Sequence, residues 1–369
     1  MVDIKNKSQH LYLQVANDLK KRIKNRDFGE DGRIPNYLDL TEEYDVSMST
    51  VKKAMQMLND ADIINSRVGK GTYANPDFIN NNGNTIKKQK GKVGILIRDI
   101  EGPYFSDIYS GLADEAENYN RKLLITVSRN IHQQEDSLLE MMLGHKIEGL
   151  LITTRRKSLY GALTYDRLVN ENVPTIIIHD VYDSNLPIVD VDNYKGGKLV
   201  AEYFLKQKLK KFAIVVGEHG YRTDDMRMNG FLDGLKDNNV DIAKNLFSYR
   251  MSFSTEKTAF DEGYKWGKSL RINELGIEGI FLFNDLIAMG FQKAMLERGL
   301  SIPEDISIVG FDNIERCSEA RIPLTTVESP RKEIGHLAFQ RLMSMVDEGK
   351  INDSERILLE PELVVRESA

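Results

Sequence analysis

Leu11, Val15, Leu19 and Ile23 recur every fourth position in residues 10–26, and this single apolar stripe predicts a helix. Gly29 and Gly32 end it. Ile34-Pro35-Asn36 opens a second helix, with Asn36 as its cap and Leu38 and Leu40 directed inward. Asp45-Val46 turns the chain into a third helix, capped by Ser47. Its Val51, Ala54, Met55 and Leu58 share one face, and Met48, Ser49, Lys52, Lys53 and Gln56 stay off it. Residues 61–67 read as a strand, Val68-Gly69-Lys70-Gly71 as a turn, and Thr72-Tyr73-Ala74 as a return strand. Three helices and a hairpin predict a winged helix-turn-helix over residues 1–78, its third helix in the major groove of double-stranded DNA.

From residue 93 the period changes. Apolar runs at 93–97, 123–127, 147–152 and 174–178 alternate with helical segments such as 107–119 and 133–143. A second series follows at 212–216, 279–283 and 306–310. Such alternation predicts α/β architecture, with parallel sheets covered on both faces. Two series predict two lobes with a cleft between them, over residues 93–369. Ligands of open α/β sheets sit beyond the carboxyl ends of the strands, which marks Arg98, Asp99, Arg129, His179, Asp180, Asp285 and Asp312. Between the two patterns, residues 79–92 hold few apolar side chains and read as a flexible linker.

Charge refines this picture. The net charge is −6, but residues 1–80 are balanced and the lysines at 87, 88, 90 and 92 bring residues 1–92 to +4. The rest therefore carries −10, and a mildly basic head on an acidic body is compatible with DNA binding by the head. No run of about 18 apolar residues exists, so no membrane span is expected. The polar N-terminus lacks an apolar signal core, which points to a cytoplasmic chain. Cys317 is the sole cysteine and supports neither an internal disulfide nor a thiolate zinc cage. The six histidines show no metal spacing, so neither a metal nor a cofactor is expected.

The segments LYLQVANDLKKRI, IPNYLDLTEEYDVSMSTVKKAMQMLNDADII and RVGKGTY resemble the DNA-binding domain of the GntR family, in its order and spacing. The resemblance covers residues 10–75. It implies DNA contacts from Ser47, Met48, Ser49, Thr50, Lys52 and Lys53 on the recognition helix. It adds Arg67, Lys70 and Gly71 on the wing, and Asn36 and Tyr37 at the start of the second helix. The family commonly holds arginine at the positions of Met48 and Lys52. Methionine offers only an apolar contact and lysine a point charge, so this chain is expected to read a different half-site.

VPTIIIHDV, PIVDVDNYKGGKLVAEYFL, RMNGFLDGL, FLFNDLIAMGFQKAMLERGLSIPEDISIVGFDN and LEPELVVRESA resemble the sugar-sensing domain of the LacI/GalR type over residues 93–369. The resemblance implies that Asp180, Arg227 and Asp285 hold effector hydroxyls and that Phe253 supplies an aromatic wall. Arg98, Asp99, Tyr104, Arg129, His179 and Asp312 complete the expected effector site. Carboxylates accept hydroxyl protons, a guanidinium donates in a fixed fork, and a ring covers the apolar face of a sugar. Together the two resemblances imply a repressor that binds operator DNA as a homodimer and is released by a monosaccharide, L-arabinose or a related sugar. The two-lobed body would also suit a sugar-binding protein without regulatory DNA binding. An enzyme is not expected, because neither a nucleophile elbow nor a dinucleotide fingerprint is present.

Overall fold

The computed structural model describes residues 11–29, 31–61, 63–67, 71–80, 91–100, 102–154, 156, 158–159, 163–218, 220–251, 256–349 and 354–369. Lys70 and Phe253, both expected at functional sites, lie outside the described residues, and of Arg67 only the backbone is described. The chain forms two compact units, residues 1–90 and 91–369.

The first unit runs α1 (Leu11–Lys24), β1 (Arg33–Ile34), α2 (Tyr37–Tyr44), α3 (Met48–Asp60), β2 (Ile64–Arg67), β3 (Gly71–Ala74) and α4 (Pro76–Asn80). α2 starts where Asn36 Oδ1 accepts from the backbone N–H groups of Leu38 (2.8 Å) and Asp39 (3.1 Å). It ends at Asp45, whose φ of 48° turns the chain back. Ser47 Oγ then accepts from the Thr50 N–H at 3.2 Å and starts α3. Val15, Leu19 and Ile23 of α1 share one buried core with Val51, Ala54, Met55 and Leu58 of α3.

Two elements here were not predicted. β1 pairs antiparallel with β3, beside the expected β2–β3 hairpin, and two residues are too short for alternation to show. α4 buries Phe78 in the core and runs through Asn80, two residues into the stretch from 79 that was expected to be linker. Leu38 corrects another expectation. It is 65% exposed while Leu40 is fully buried. Residues two apart lie about 200° apart around a helix, so both could not face inward.

The second unit opens with β4 (Lys92–Ile97), α5 (Pro103–Asn118), β5 (Lys122–Val127), α6 (His132–Gly144), β6 (Gly149–Thr153), α7 (Leu163–Asn170), β7 (Thr175–Ile178) and β8 (Ile188–Val191). The chain crosses into a second lobe with α8 (Asn193–Lys206), β9 (Phe212–Val216), α9 (Arg222–Asp237), α10 (Ile242–Asn245), β10 (Leu246–Arg250) and α11 (Glu256–Ser269). That lobe continues through α12 (Ile272–Leu275), β11 (Gly279–Leu282), α13 (Asp285–Glu297), β12 (Ser307–Asp312), α14 (Arg316–Glu319) and β13 (Thr325–Glu328). The chain returns to the first lobe for α15 (Arg331–Glu348) and β14 (Arg356–Leu359), then crosses once more to β15 (Glu362–Val364).

The sheet orders are β14-β8-β7-β6-β4-β5 and β10-β9-β11-β12-β13-β15. Both are parallel as expected, except that β15 runs antiparallel to β13. β14 ends at the carboxyl edge of the first sheet, so the short connection enters the second sheet at its carboxyl edge and β15 must run away from it. Buried runs such as Leu150–Ile152 and Ala213–Val216 have helices on both sides, which explains their continuous apolar character.

One helix pair matters for the site. A Cβ at Gly197 would lie 2.1 Å from the Arg227 carbonyl oxygen, and one at Gly230 would lie 1.8 Å from that of Tyr194. Only glycine lets α8 and α9 approach this closely, and the approach sets the height of Arg227 on α9. Among the described residues no helix is long and apolar enough to cross a membrane.

Candidate functional site

The two lobes of the second unit enclose a cleft at the carboxyl ends of their strands. Seven of the expected effector residues line it: Arg98, Asp99, Tyr104, His179, Asp180, Arg227 and Asp312. The chain passes between the lobes after β8, after β13 and after β14.

Arg227 enters from the second lobe. Its Nε donates to Asn193 Oδ1 at 2.8 Å, and its Nη1 donates to the carbonyl of Phe283. Nη2 lies 3.5 Å from Asp312 Oδ1, and the guanidinium carbon lies 3.6 Å from the centre of the Phe311 ring. The fork is therefore held on several sides, as orientation-specific recognition requires. Asp180 enters from the first lobe. Its Oδ2 accepts from Arg222 Nε of the second lobe at 2.5 Å, and its Oδ1 accepts from Arg356. Close by, Tyr182 Oη donates to Asp225 Oδ2 at 3.0 Å, a second bond between the lobes.

Tyr104 and His179 make the buried wall, with Tyr104 Oη 2.8 Å from His179 Nε2 and 3.3 Å from Ser329 Oγ. Burial, with Arg98 and Arg227 nearby, pushes the His179 pKa well below its ordinary value. The ring is neutral at pH 7 and serves as a hydrogen-bonding group rather than a charge.

Two expected residues do not reach the cleft. Arg129 is exposed outside it, on backbone with φ 52°. Asp285 is 1% exposed and lies beneath the surface. Its Oδ1 accepts from Thr326 Oγ1 at 2.5 Å and its Oδ2 from the Ile314 N–H at 2.9 Å. A Cβ at Gly310 would lie 2.3 Å from that Oδ1, so glycine makes the room for it. Burial pushes the Asp285 carboxyl up to about 6. This carboxylate ties α13 to the turn after β12 and to β13. Its neighbour Asn284 is the one that lines the cleft.

Sequence reasoning missed Arg156 and Arg222, which both line the cleft. Arg156 follows β6 and donates to Glu135, and its Nη2 donates to Asp136 Oδ1 at 2.6 Å. Glu135 also accepts from Thr154 Oγ1 (2.8 Å) and Tyr165 Oη (2.9 Å), so this arginine rests on a buried support. The strand-end rule applied to β6 would have found it. Arg222 starts α9 and carries no such mark. The lining holds Arg98, Arg156, Arg222 and Arg227 against Asp99, Asp180, Asp224 and Asp312, a charge sum of zero. Paired donors and acceptors without net charge suit a neutral, hydroxyl-rich ligand. No cluster of metal-ligating side chains occurs among the described residues.

In the first unit, the hydroxyls of Ser47, Ser49 and Thr50 gather at the start of α3, with Ser47 Oγ 2.8 Å from each of the other two. Lys52 and Lys53 are exposed, and Lys53 Nζ lies 4.2 Å over the Tyr12 ring. Met48 is half-buried, Tyr37 is exposed, and Asn36 uses its carbonyl as the α2 cap. Gly71 is exposed where β3 leaves the wing turn. The exposed Arg33 of β1 was not anticipated, and its guanidinium passes 3.6 Å from the Cβ position of Gly71.

Residues 11–74 match the bacterial regulatory proteins of the gntR family, and residues 201–369 match the periplasmic binding protein-like domain. The chain joins a GntR-type helix-turn-helix domain to a periplasmic-binding-protein-like domain. Over 99% of its length it is 26% identical to the arabinose metabolism transcriptional repressor of Geobacillus stearothermophilus, 99% of which is covered. Its fold is that of the transcription regulator CcpA of Lactococcus lactis, at TM-score 0.67 and 22% identity, covering 76% of this chain and 99% of that one. A LacI family regulator from Enterococcus faecium with bound ribose has the same fold, at TM-score 0.64 and 23% identity, covering 76% and 98%.

Proposed function

We propose that the chain is a sugar-responsive transcriptional repressor. Its helix-turn-helix domain binds operator DNA in the cytoplasm, as a homodimer on two half-sites. A neutral monosaccharide, L-arabinose or a related sugar, occupies the interlobe cleft and releases the DNA. The observation that carries this reading is the charge-balanced cleft, rigidly lined with guanidiniums, carboxylates and an aromatic wall, on the same chain as a recognition helix. The arabinose repressor of similar sequence and the ribose-bound regulator of similar fold support the choice of a small aldose.

At the head, Met48, Ser49, Thr50 and Lys52 read the major groove, while Arg33 and the wing contact phosphates. A sugar can shift operator affinity only by its differential affinity for the two states of the protein, typically about 1–3 kcal/mol of coupling. The test is operator affinity, by fluorescence anisotropy on DNA upstream of the gene, with and without saturating pentoses and hexoses. A weakening of about 5- to 150-fold is expected with one of them. Undiminished affinity with every sugar defeats the effector reading, and turnover of a sugar by the purified protein defeats the purely regulatory one.

A further inference from the structure

Asp190 lies on β8 with no exposed surface, just before the chain crosses from the first lobe to the second. Its Oδ2 accepts from the Asp180 N–H at 2.9 Å and from Asn193 Nδ2 at 3.0 Å, and its Oδ1 accepts from the Val191 N–H at 2.8 Å. Asn193 Oδ1 in turn accepts from Arg227 Nε at 2.8 Å. One carboxylate thus reaches both sides of the cleft, Asp180 of the first lobe directly and Arg227 of the second through Asn193.

Each of these contacts uses Asp190 as an acceptor. An ionised carboxylate has two acceptor oxygens, whereas a side-chain amide or a protonated carboxyl turns one of them into a donor. An apolar residue at this position would leave the part-buried Asp180 N–H without its acceptor and reduce the Asn193 amide to its bond with the Val191 carbonyl.

We propose that Asp190 is a positioning residue for the effector site, holding Asp180 and Arg227 in register where the chain crosses between the lobes. The proposal rests on reading the cleft as that site. It has a pH signature. Burial pushes the Asp190 carboxyl up to about 7, against the N–H groups of Asp180 and Val191 that favour its charge. The titratable and charged groups that bear on it are Asp180 beyond β7, whose carboxylate is paired with Arg356 on β14, Arg227 on α9 and Tyr104 on α5. As pH falls through neutrality Asp190 gains a proton, loses an acceptor and slackens its hold.

Asp190→Asn is the near-isosteric test, because the amide imitates the protonated acid. Without any ligand, hydrogen exchange at the Asp180 amide is expected to be at least tenfold faster in Asp190→Asn, with exchange in the middle of β7 unchanged. Unchanged exchange at Asp180 overturns the proposal. Calorimetric titration with L-arabinose, D-ribose and D-xylose at pH 8 is expected to show at least tenfold weaker binding by the variant, for any sugar that the wild type binds. Lowering the pH to 6 should weaken the wild type toward the variant, whose affinity stays flat. Equal affinities at pH 8, or parallel pH profiles, overturn the proposal. If none of the three sugars binds the wild type, that choice of effector fails, and the exchange measurement still decides whether Asp190 holds Asp180. Asn193→Ala guards against misfolding of the first variant. It cuts only the Arg227 limb, so it should weaken sugar binding while Asp180 exchange stays within twofold, and unaltered sugar binding overturns that limb.

Discussion

Asp180 and Arg222 stand on opposite lobes of the second unit and meet across the cleft, Arg222 Nε donating to Asp180 Oδ2 at 2.5 Å. The Asp180 side chain is 9% exposed and that of Arg222 28%, so the pair is only partly screened by solvent. With the Tyr182–Asp225 bond beside it, the pair links the lobes. Arg222→Met removes this link and leaves Asp180 bonded to Arg356. Sugar affinity measured by calorimetry is expected to fall about tenfold, a loss of about 1.4 kcal/mol. Operator affinity without sugar should stay within twofold. Sugar affinity equal to wild type would show that the link plays no part in forming the site.

Arg227 makes a stronger demand. Its fork touches Asn193, Phe283 and Asp312 while its plane covers Phe311. A lysine has neither the plane nor the fork. Arg227→Lys is expected to lose sugar binding by at least 100-fold, about 2.7 kcal/mol. Thermal melting of the ligand-free protein should fall by several degrees, since the Asn193 and Phe283 oxygens lose their donor. Retained affinity in Arg227→Lys would mean that charge alone is what the site requires.

Asp285 should behave in the opposite way. Its oxygens serve Thr326 and Ile314 beneath the cleft. Asp285→Ala leaves a buried N–H and a hydroxyl without their acceptor and should cost about 1–3 kcal/mol of stability. Sugar affinity of the folded protein should change less than threefold. A specific loss of sugar binding with unchanged melting would return Asp285 to the ligand site.

Stability should depend on pH through the two buried aspartates. Burial raises Asp190 to about 7 and Asp285 to about 6. An unfolded aspartate titrates near ~3.9. Between those values the folded chain binds more protons at these sites than the unfolded chain, so their contribution to stability falls as pH rises. It is complete below about pH 4 and lost as pH passes through about 6–7. Melting temperature, measured relative to an Asp190→Asn, Asp285→Asn double variant, should therefore decline from pH 4 to pH 7.5. A difference that grows with pH contradicts the burial argument.

On the proposed reading, Arg33 and Met48 separate positioning on DNA from reading it. Arg33→Ala should weaken specific and unrelated DNA alike and flatten the slope of log affinity against log salt by about 0.9, the value of one phosphate contact. Met48→Arg should instead change the sequence preferred in an operator selection, because arginine can take guanine with two hydrogen bonds. Identical selected sites for wild type and Met48→Arg would place residue 48 away from the bases. Sugar affinity should be untouched in both variants.

Local periodicity and caps were enough to locate the winged helix, its third helix capped by Ser47, and the parallel α/β lobes. These depend on contacts between residues near in sequence, such as the Ser47 hydroxyl on the Thr50 N–H. Short elements escaped for the same reason, since β1 is held in place by β3 across the unit and not by its own pattern. The cleft residues divide along this line. A strand end brings a side chain to the carboxyl edge of a sheet, and Arg98, His179 and Asp180 were legible there. Whether a neighbour such as Asp285 faces the cleft or the core turns on Gly310, Thr326 and Ile314, which join it only in the folded chain. Asp190 shows the limit most clearly. In the sequence it is one polar residue in an apolar strand, and its meaning comes from Asp180, Asn193 and Arg227 converging on it at a place where water is excluded.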